Sequence, residues 1–373
     1  MIRLDNLTKI FETAQGPTVA VDHISMTVPQ GEICVLLGPS GCGKTTTLKM
    51  INHLIVPTSG QVYIDGTATT AYDTVELRRR IGYVIQQIGL FPNMTVEENI
   101  GVVPKLLGWE VAKARSRAAE LLEMMALDPA IFLKRYPKEL SGGQQQRIGV
   151  ARALAADPPV MLMDEPFGAI DPINREIIQD EFLKMQALLR KTILFVSHDI
   201  DEAVKMGDKI AIFQAGKLVQ YDSPDNLLAH PANDFIADFV GSDRALKRLR
   251  LIKVGDAMYA DAPQVGWEDS LEKAASLMEQ HGYESIVMVD AHGHAQGVVR
   301  LAEARRGRGS VGEHHDSLWA TVNVKEDLRA AVSLMFTHDL SWLPCVDDSG
   351  VYQGHLTQQG ITHLLGAAYG DKR

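Results

Sequence analysis

The sequence predicts an α/β protein in two parts: an open, largely parallel sheet built around a phosphate-binding loop, then a smaller α+β domain. Three observations predict it. Short apolar runs, each the length of a buried parallel strand, end in residues suited to phosphate chemistry. The C-terminal part of the chain repeats itself at a fixed offset. Finally, 373 residues with 46% hydrophobic content exceed one ordinary domain and suffice for two cores.

The first run, Ile33-Cys34-Val35-Leu36-Leu37, passes without a spacer into GPSGCGKTTTLKMI, giving strand, tight turn and helix in succession. Gly38, Gly41 and Gly43, alternating with Pro39, Ser40 and Cys42, free the backbone to curl, so that successive N–H groups converge on phosphate oxygens at a helix N-terminus. Lys44 is then placed to reach the β and γ phosphates, Thr45 to give its hydroxyl to Mg²⁺, and Thr46 to add a donor beside the phosphates.

The second run, Val160 to Met163, brings Asp164 to the carboxyl end of its strand, where ligands of open α/β sheets gather. Asp164 is suited to hold Mg²⁺ through water, and Glu165 to orient and polarise an attacking water. The third run, TILFV at 192–196, ends in Ser197 and His198. If it lies in the same sheet, His198 emerges on the ligand side, able to donate to a γ-phosphate. Gln86, at the end of the strand-like segment 81–85, offers an amide that can touch both Mg²⁺ and water, with Gln87 as the alternative one residue on.

A loop of this kind leaves kinases, GTPases, helicases and motors all open. The segment LSGGQ at 140–144 closes most of them. With it, the chain resembles the nucleotide-binding subunit of ABC transporters over about residues 1–236, a P-loop NTPase fold with a helical subdomain at about 88–155. The resemblance implies that residues 38–45 are the Walker A loop and Gln86 the Q-loop. It makes Leu140, Ser141, Gly142, Gly143 and Gln144 the signature, residues 160–164 Walker B with Glu165 after it, Asp171 the D-loop and His198 the switch histidine. It also implies ATP and Mg²⁺, with Phe11 stacked on adenine; apart from the family, Phe11 reads as a buried strand-end residue.

Ser141, Gly142 and Gly143 open a helix whose N-terminal amides favour an anion, yet they belong to a region separate from the phosphate loop. The resemblance supplies the missing phosphate. In a head-to-tail homodimer each chain's signature closes on ATP held by its partner, so that ATP is part of the interface.

A formal charge of −10 and a pI near 5.6 exclude nucleic acid as the main partner. Cys34, Cys42 and Cys345 have no C-x-x-C spacing, which indicates neither a disulfide framework nor a zinc site. The N-terminus has no signal-peptide pattern, and no run of apolar residues is long enough to span a bilayer. The expected location is therefore peripheral, at the cytoplasmic face of the inner membrane, with integral permease subunits and a periplasmic or lipid-anchored solute-binding protein as partners. In GLFPNMTVEENI after the Q-loop, Leu90, Phe91 and Met94 offer apolar surface where the family docks its permease; a core-packed turn is the other reading. The wording of this stretch looks most like the subfamily importing osmoprotectants and related quaternary amines such as glycine betaine, choline and carnitine. The alternatives are the same role for another solute, such as an amino acid, and more remotely a soluble ABC ATPase outside transport.

A basic connector is expected at 237–251, carrying Arg244, Lys247, Arg248 and Arg250. Beyond it a shift of 57 positions aligns Leu271 with Leu328, Ala274 with Ala331, Val289-Asp290 with Val346-Asp347 and Gln296-Gly297 with Gln353-Gly354. Each unit reads as an amphipathic helix, a short strand (285–289; 342–346), an Asp and Gly turn and another strand. The pair resembles a tandem CBS module over 252–370, with repeats at about 252–308 and 312–370. Such modules often hold adenosine compounds through a Ser or Thr and an Asp after the second strand. Here those positions are Arg300 and Glu303 in one repeat and Thr357 and Gly360 in the other, so neither has the complete pair. A cyclic dinucleotide using other contacts, an anionic lipid surface drawn to the connector and to Arg305, Arg306 and Arg308, and a merely solvated connector are the readings of the tail. His292, His294, His314 and His315 add a metal-binding alternative.

Overall fold

In this computed structural model, all residues are described except 15, 86–88, 169, 261 and 368–373. The chain divides into two compact units, Met1–Leu227 with Pro231–Val240, and Leu228–His230 with Gly241–Arg373.

At the centre of the first unit is a six-stranded sheet. Its order is Lys217–Asp222, Lys209–Gln214, Ile33–Leu37, Thr192–Val196, Val160–Asp164 and Ile81–Val84, parallel except for the first, an antiparallel edge. The three apolar runs are thus neighbours, and every residue in them is buried. Burial on both faces is why they read as continuous rather than alternating hydrophobic segments. Because they run parallel, their carboxyl ends lie along one edge, as a common phosphate site requires.

A second, antiparallel sheet of Gly16–Val28, Ile2–Thr13, Ser59–Ile64 and Thr67–Ala68 packs into the same core. It does more than cover the first. A Cβ on Gly43 would lie 2.4 Å from the carbonyl oxygen of Ala20 in this sheet, so the phosphate loop can press against it only as glycine with a positive φ.

Between Ile81–Val84 and Val160–Asp164 the chain is helical, with Val96–Ile100, Val102–Leu106, Val111–Met124, Pro129–Phe132 and Gly142–Leu154. Among the described residues, no helix is long and apolar enough to cross a membrane.

The second unit has two cores. One gathers Val265, Leu271, Met278, Met288 and Val299; the other Val254, Leu328, Met335, Leu343 and Leu356. The strands Ser285–Val289 and Trp342–Val346 lie where the repeat predicts them, each paired antiparallel with the strand that follows. The turns match as well: Asp290 accepts from the backbone N–H groups of His292 and His294, and Asp347 from those of Ser349 and Val351. These donors hold the Asp290 carboxyl near 2.

The stretch 237–251 is not a solvated connector: Asp234–Val240 buries Ile236 and Val240 in the first unit, while Arg248 is buried and Leu249 enters a core of the second. The repeats also do not divide at 252–308 and 312–370. Val254 packs with Leu328, and the backbones of residues 252 and 255 pair with those of 328 and 324. The start of the presumed first repeat thus completes the second core, and Val311 belongs to the first. Periodicity reports that a face is buried, not which core buries it.

Candidate functional site

The phosphate loop joins the strand Ile33–Leu37 to the helix Lys44–Ile51. Gly38, Gly41 and Gly43 all have positive φ. The Lys44 ammonium donates to the carbonyl oxygens of Gly38 at 2.7 Å and Pro39 at 2.9 Å, which holds it inside the loop it serves. Thr45 Oγ1 donates to Asp164 Oδ1 at 3.0 Å, linking the loop to the neighbouring strand end. Burial raises the Asp164 carboxyl above its ordinary range, against the lowering effect of Thr45 and of Lys49 and Lys44.

Glu165 follows with φ of 48°, a left-handed conformation uncommon for a residue with a side chain. Its N–H donates to the Val196 carbonyl at 3.0 Å, fixing it to the next strand. His198 Nδ1 lies 3.6 Å from Glu165 Oε1. Ser40, Gly41, Cys42, Gly43, Lys44, Thr45, Thr46, Glu165 and His198 together line a cleft of 470 Å³.

The loop bearing His198 is held by Ser197 together with residues that the sequence reading did not single out, Gln179, Asp199 and Glu202. Ser197 Oγ donates to Glu202, whose other oxygen accepts from Gln179 Nε2 at 3.0 Å, and Ser197 Oγ accepts from the Asp199 N–H at 3.0 Å. Glu202 is buried, and burial raises its carboxyl. The one trace in the sequence is Asp199, which caps the helix Ile200–Met206 through the N–H groups of Asp201 and Glu202 and so puts Glu202 on the first turn.

Phe11 is exposed, with Lys9 Nζ 5.0 Å above its ring, so the buried strand-end reading does not hold. Ser141 caps the helix Gly142–Leu154 in a reciprocal box: its N–H donates to Gln144 Oε1 at 2.9 Å, and its Oγ accepts from the Gln144 N–H at 3.3 Å. Such a cap contributes about 1 kcal/mol. Leu140 is buried beneath it, and Gly143 meets only Ile178 at ordinary contact distance. A Cβ on Gly142 would meet nothing within 4 Å. Nothing in its own chain therefore requires glycine at 142. Asp171 is exposed just before the helix Pro172–Leu189. Phe11, Asp171 and residues 140–144 do not line the phosphate cleft. Gln86 and Gln87 lie outside the described residues.

Asn99, fully buried, organises the loop that precedes its helix. It accepts from the Phe91 N–H at 2.8 Å and donates to the carbonyls of Phe91, Met94 and Thr95 at 3.0–3.1 Å. Phe91 and Met94 stay exposed at 46% and 38%, which excludes the core-packed reading.

A buried carboxylate and a hydroxyl 3.0 Å apart, both hard oxygen donors beside a phosphate cradle, suit Mg²⁺ with its preference for few protein ligands. Among the described residues there is no cluster of three or more His, Cys, Asp or Glu that could hold a metal by itself. Three of the four tail histidines are otherwise engaged: His294 with Asp290 at 3.1 Å, His315 with the Gly312 carbonyl at 3.0 Å and His314 with that of Arg308 at 3.3 Å.

Parallel sheet, glycine-rich loop, adjacent acids and a histidine in one cleft define a class, and comparison with known proteins agrees. The family model for ABC transporters matches residues 21–168. The dimeric structure of the bacterial ABC transporter cassette MJ0796 is 37% identical, superposing with a TM-score of 0.55 over 60% of this chain and 98% of its own. The same cassette, in a post-hydrolysis state bound to ADP and Pi, is 36% identical at the same TM-score. The chain is an ABC ATPase. Full-length relatives narrow this further. The osmoprotectant import ATP-binding protein OsmV of Salmonella typhimurium is 55% identical over 98% of this chain and 96% of its own. The glycine betaine/carnitine/choline transport ATP-binding protein OpuCA of Bacillus subtilis is 44% identical over the same shares. The glycine betaine uptake system ATP-binding protein YehX of Escherichia coli is 41% identical over 81% of this chain and 98% of its own. The chain belongs to this family of importer ATP-binding subunits.

Proposed function

We propose that this chain hydrolyses ATP as a head-to-tail homodimer and thereby powers a membrane permease that imports quaternary-amine osmoprotectants. The observation that carries the dimer is the separation within one chain: the signature residues Ser141 to Gln144 do not line the cleft that holds Lys44, Glu165 and His198. Their capped helix start, with open space at Gly142, is left for the phosphates of a second copy.

In each site the loop amides and Lys44 bind the phosphates, and Phe11 supports the adenine. Thr45 and Asp164 would hold Mg²⁺, with Gln86 contributing; when bound, the ion neutralises charge on the β and γ oxygens. Glu165 orients the attacking water, and His198 donates to the γ-phosphate as negative charge spreads over it. Asp171 faces the dimer interface. Loss of the γ-phosphate removes contacts that join the two copies, so each cycle can open and close the pair.

The exposed Phe91 and Met94, held out by Asn99, are the surface we assign to the permease, and the chain would then work at the cytoplasmic membrane face. The solute-binding protein of such a system reads the cargo. In the tail, the lipid reading loses support, because Lys247 is paired with Asp243 at 2.5 Å and Arg305 with Glu279 at 2.8 Å. The repeats are best taken as a regulatory module of the CBS type.

The test is reconstitution of the chain with its permease and binding protein in vesicles. Uptake of labelled glycine betaine or choline that requires ATP and is abolished by Lys44→Ala supports the proposal; ATP-driven uptake of an amino acid alone overturns the cargo.

A further inference from the structure

The second unit contains a cleft of 660 Å³ between its two repeats that no step of ATP hydrolysis uses. Tyr259, Tyr283, Trp342 and Tyr352 line it together with His355. The rings converge on His355, whose centroid lies 5.4 Å from that of Tyr259, 4.8 Å from Tyr283 and 6.1 Å from Trp342, the last two edge to face. His355 is only 6% exposed, and burial lowers its pKa, so it brings no positive charge at neutral pH. Among the described residues, Glu284 is the one charged side chain in the lining, and no Lys or Arg contributes.

The arrangement is built by the backbone. Tyr259 and His355 exchange N–H to carbonyl hydrogen bonds of 2.8 and 3.2 Å. That pairing brings the Tyr259 carbonyl to 2.2 Å from where a Cβ at residue 354 would stand, so glycine is obligatory there. A Cβ at Gly360 would sit 3.2 Å from the Tyr259 ring. The place where the module resemblance expects a ribose-holding aspartate is therefore shared with an aromatic face.

The matching cleft provides an internal control. The 57-residue offset pairs Tyr283 with Leu340, His355 with Val298 and Thr357 with Arg300. Those counterparts line a smaller cleft of 260 Å³ that shares Trp342 and Glu284 with the first but has no tyrosine or histidine, and in which Arg300 lies 3.2 Å from Asp316. The tyrosines and the neutral histidine are concentrated on one side of the pseudo-symmetric module.

Aromatic faces attract cations through their quadrupole, and an alkylated ammonium fills such a cage without the dehydration cost of a bare ion. A nucleotide would instead bring phosphates to a lining whose one charge is negative. We propose that this cleft binds a quaternary ammonium ion against the rings of Tyr259, Tyr283 and Trp342, with Glu284 as counter-charge. The chain would thereby sense the class of compound whose import it energises. Only the choice of physiological ligand rests on the cargo reading; the cleft chemistry does not.

Calorimetric titration of the full-length chain with choline chloride, and with its neutral isostere 3,3-dimethyl-1-butanol, tests this. Choline should bind and the isostere should not. Tyr283→Leu and His355→Val each install the residue already present in the other repeat. Both should weaken choline about tenfold or more and leave ATP hydrolysis unchanged, whereas Tyr283→Phe should retain binding. Absence of choline binding, equal binding of the isostere, or unchanged affinity in Tyr283→Leu would overturn the inference. Choline uptake by the reconstituted importer with no binding to the chain sinks the inference alone. Binding without uptake of any quaternary amine sinks the cargo reading and the sensing role, and keeps the cleft chemistry.

Discussion

His198 Nδ1 lies 3.6 Å from Glu165 Oε1, where two adjacent parallel strands release their carboxyl ends over the phosphate loop. The pair is reached from different strands, so each group is placed by the sheet rather than by a flexible loop. Glu165→Gln keeps the shape and removes the charge proposed to orient water. Phosphate release is expected to fall by roughly 10²–10³-fold with ATP affinity retained. Turnover at the wild-type rate in this variant would remove Glu165 from the mechanism.

Glu202 is expected to act on His198 at one remove. Glu202→Ala leaves the Ser197 hydroxyl and the Gln179 amide without their buried acceptor, at a cost of about 1–3 kcal/mol in denaturant unfolding. ATP turnover should fall more than ATP binding, because Ser197 precedes His198. Equal stability in the variant would mean that the network is not structural.

Asn99→Ala removes hydrogen bonds to three backbone carbonyls and one N–H of the loop carrying Phe91 and Met94. Transport in the reconstituted system should drop while basal ATP hydrolysis by the chain alone persists. If both fall together, the loop is part of the ATPase and not a coupling surface.

Burial depresses the pKa of His355 below 6.5 in the folded second unit. The unfolded chain then binds more protons as pH falls through the unfolded value, so this group's contribution is retained above about 6.5 and lost below it. The thermal stability of the second unit should therefore fall on acidification, and less so in His355→Val. An identical acid dependence in the two proteins would contradict that assignment.

Much of the ATPase unit is legible in the sequence because its central strands are buried on both faces and end in chemically distinctive residues. The antiparallel sheet is not. In Ile2–Thr13 the alternation is broken by register shifts and by Asn6 with its positive φ, and in Gly16–Val28 a period of two is confined to Ile24–Val28, after His23 with its positive φ, so neither strand shows its full length in the sequence. Asn99 and Glu202 were invisible for another reason: a single buried polar residue has no pattern, and only its partners reveal it. In the tail, the offset between repeats identified both strands, yet the exchange of residues 249–258 into the other core is a long-range pairing that no local signal encodes.

In the proposed dimer one chain holds only half of each ATP site. Sedimentation of Glu165→Gln with Mg²⁺ and ATP tests it most directly. A species of twice the 41.0 kDa chain mass should form only with ATP and be lost when Ser141→Arg is added. A variant that binds ATP yet stays monomeric, or a dimer indifferent to Ser141→Arg, would contradict it.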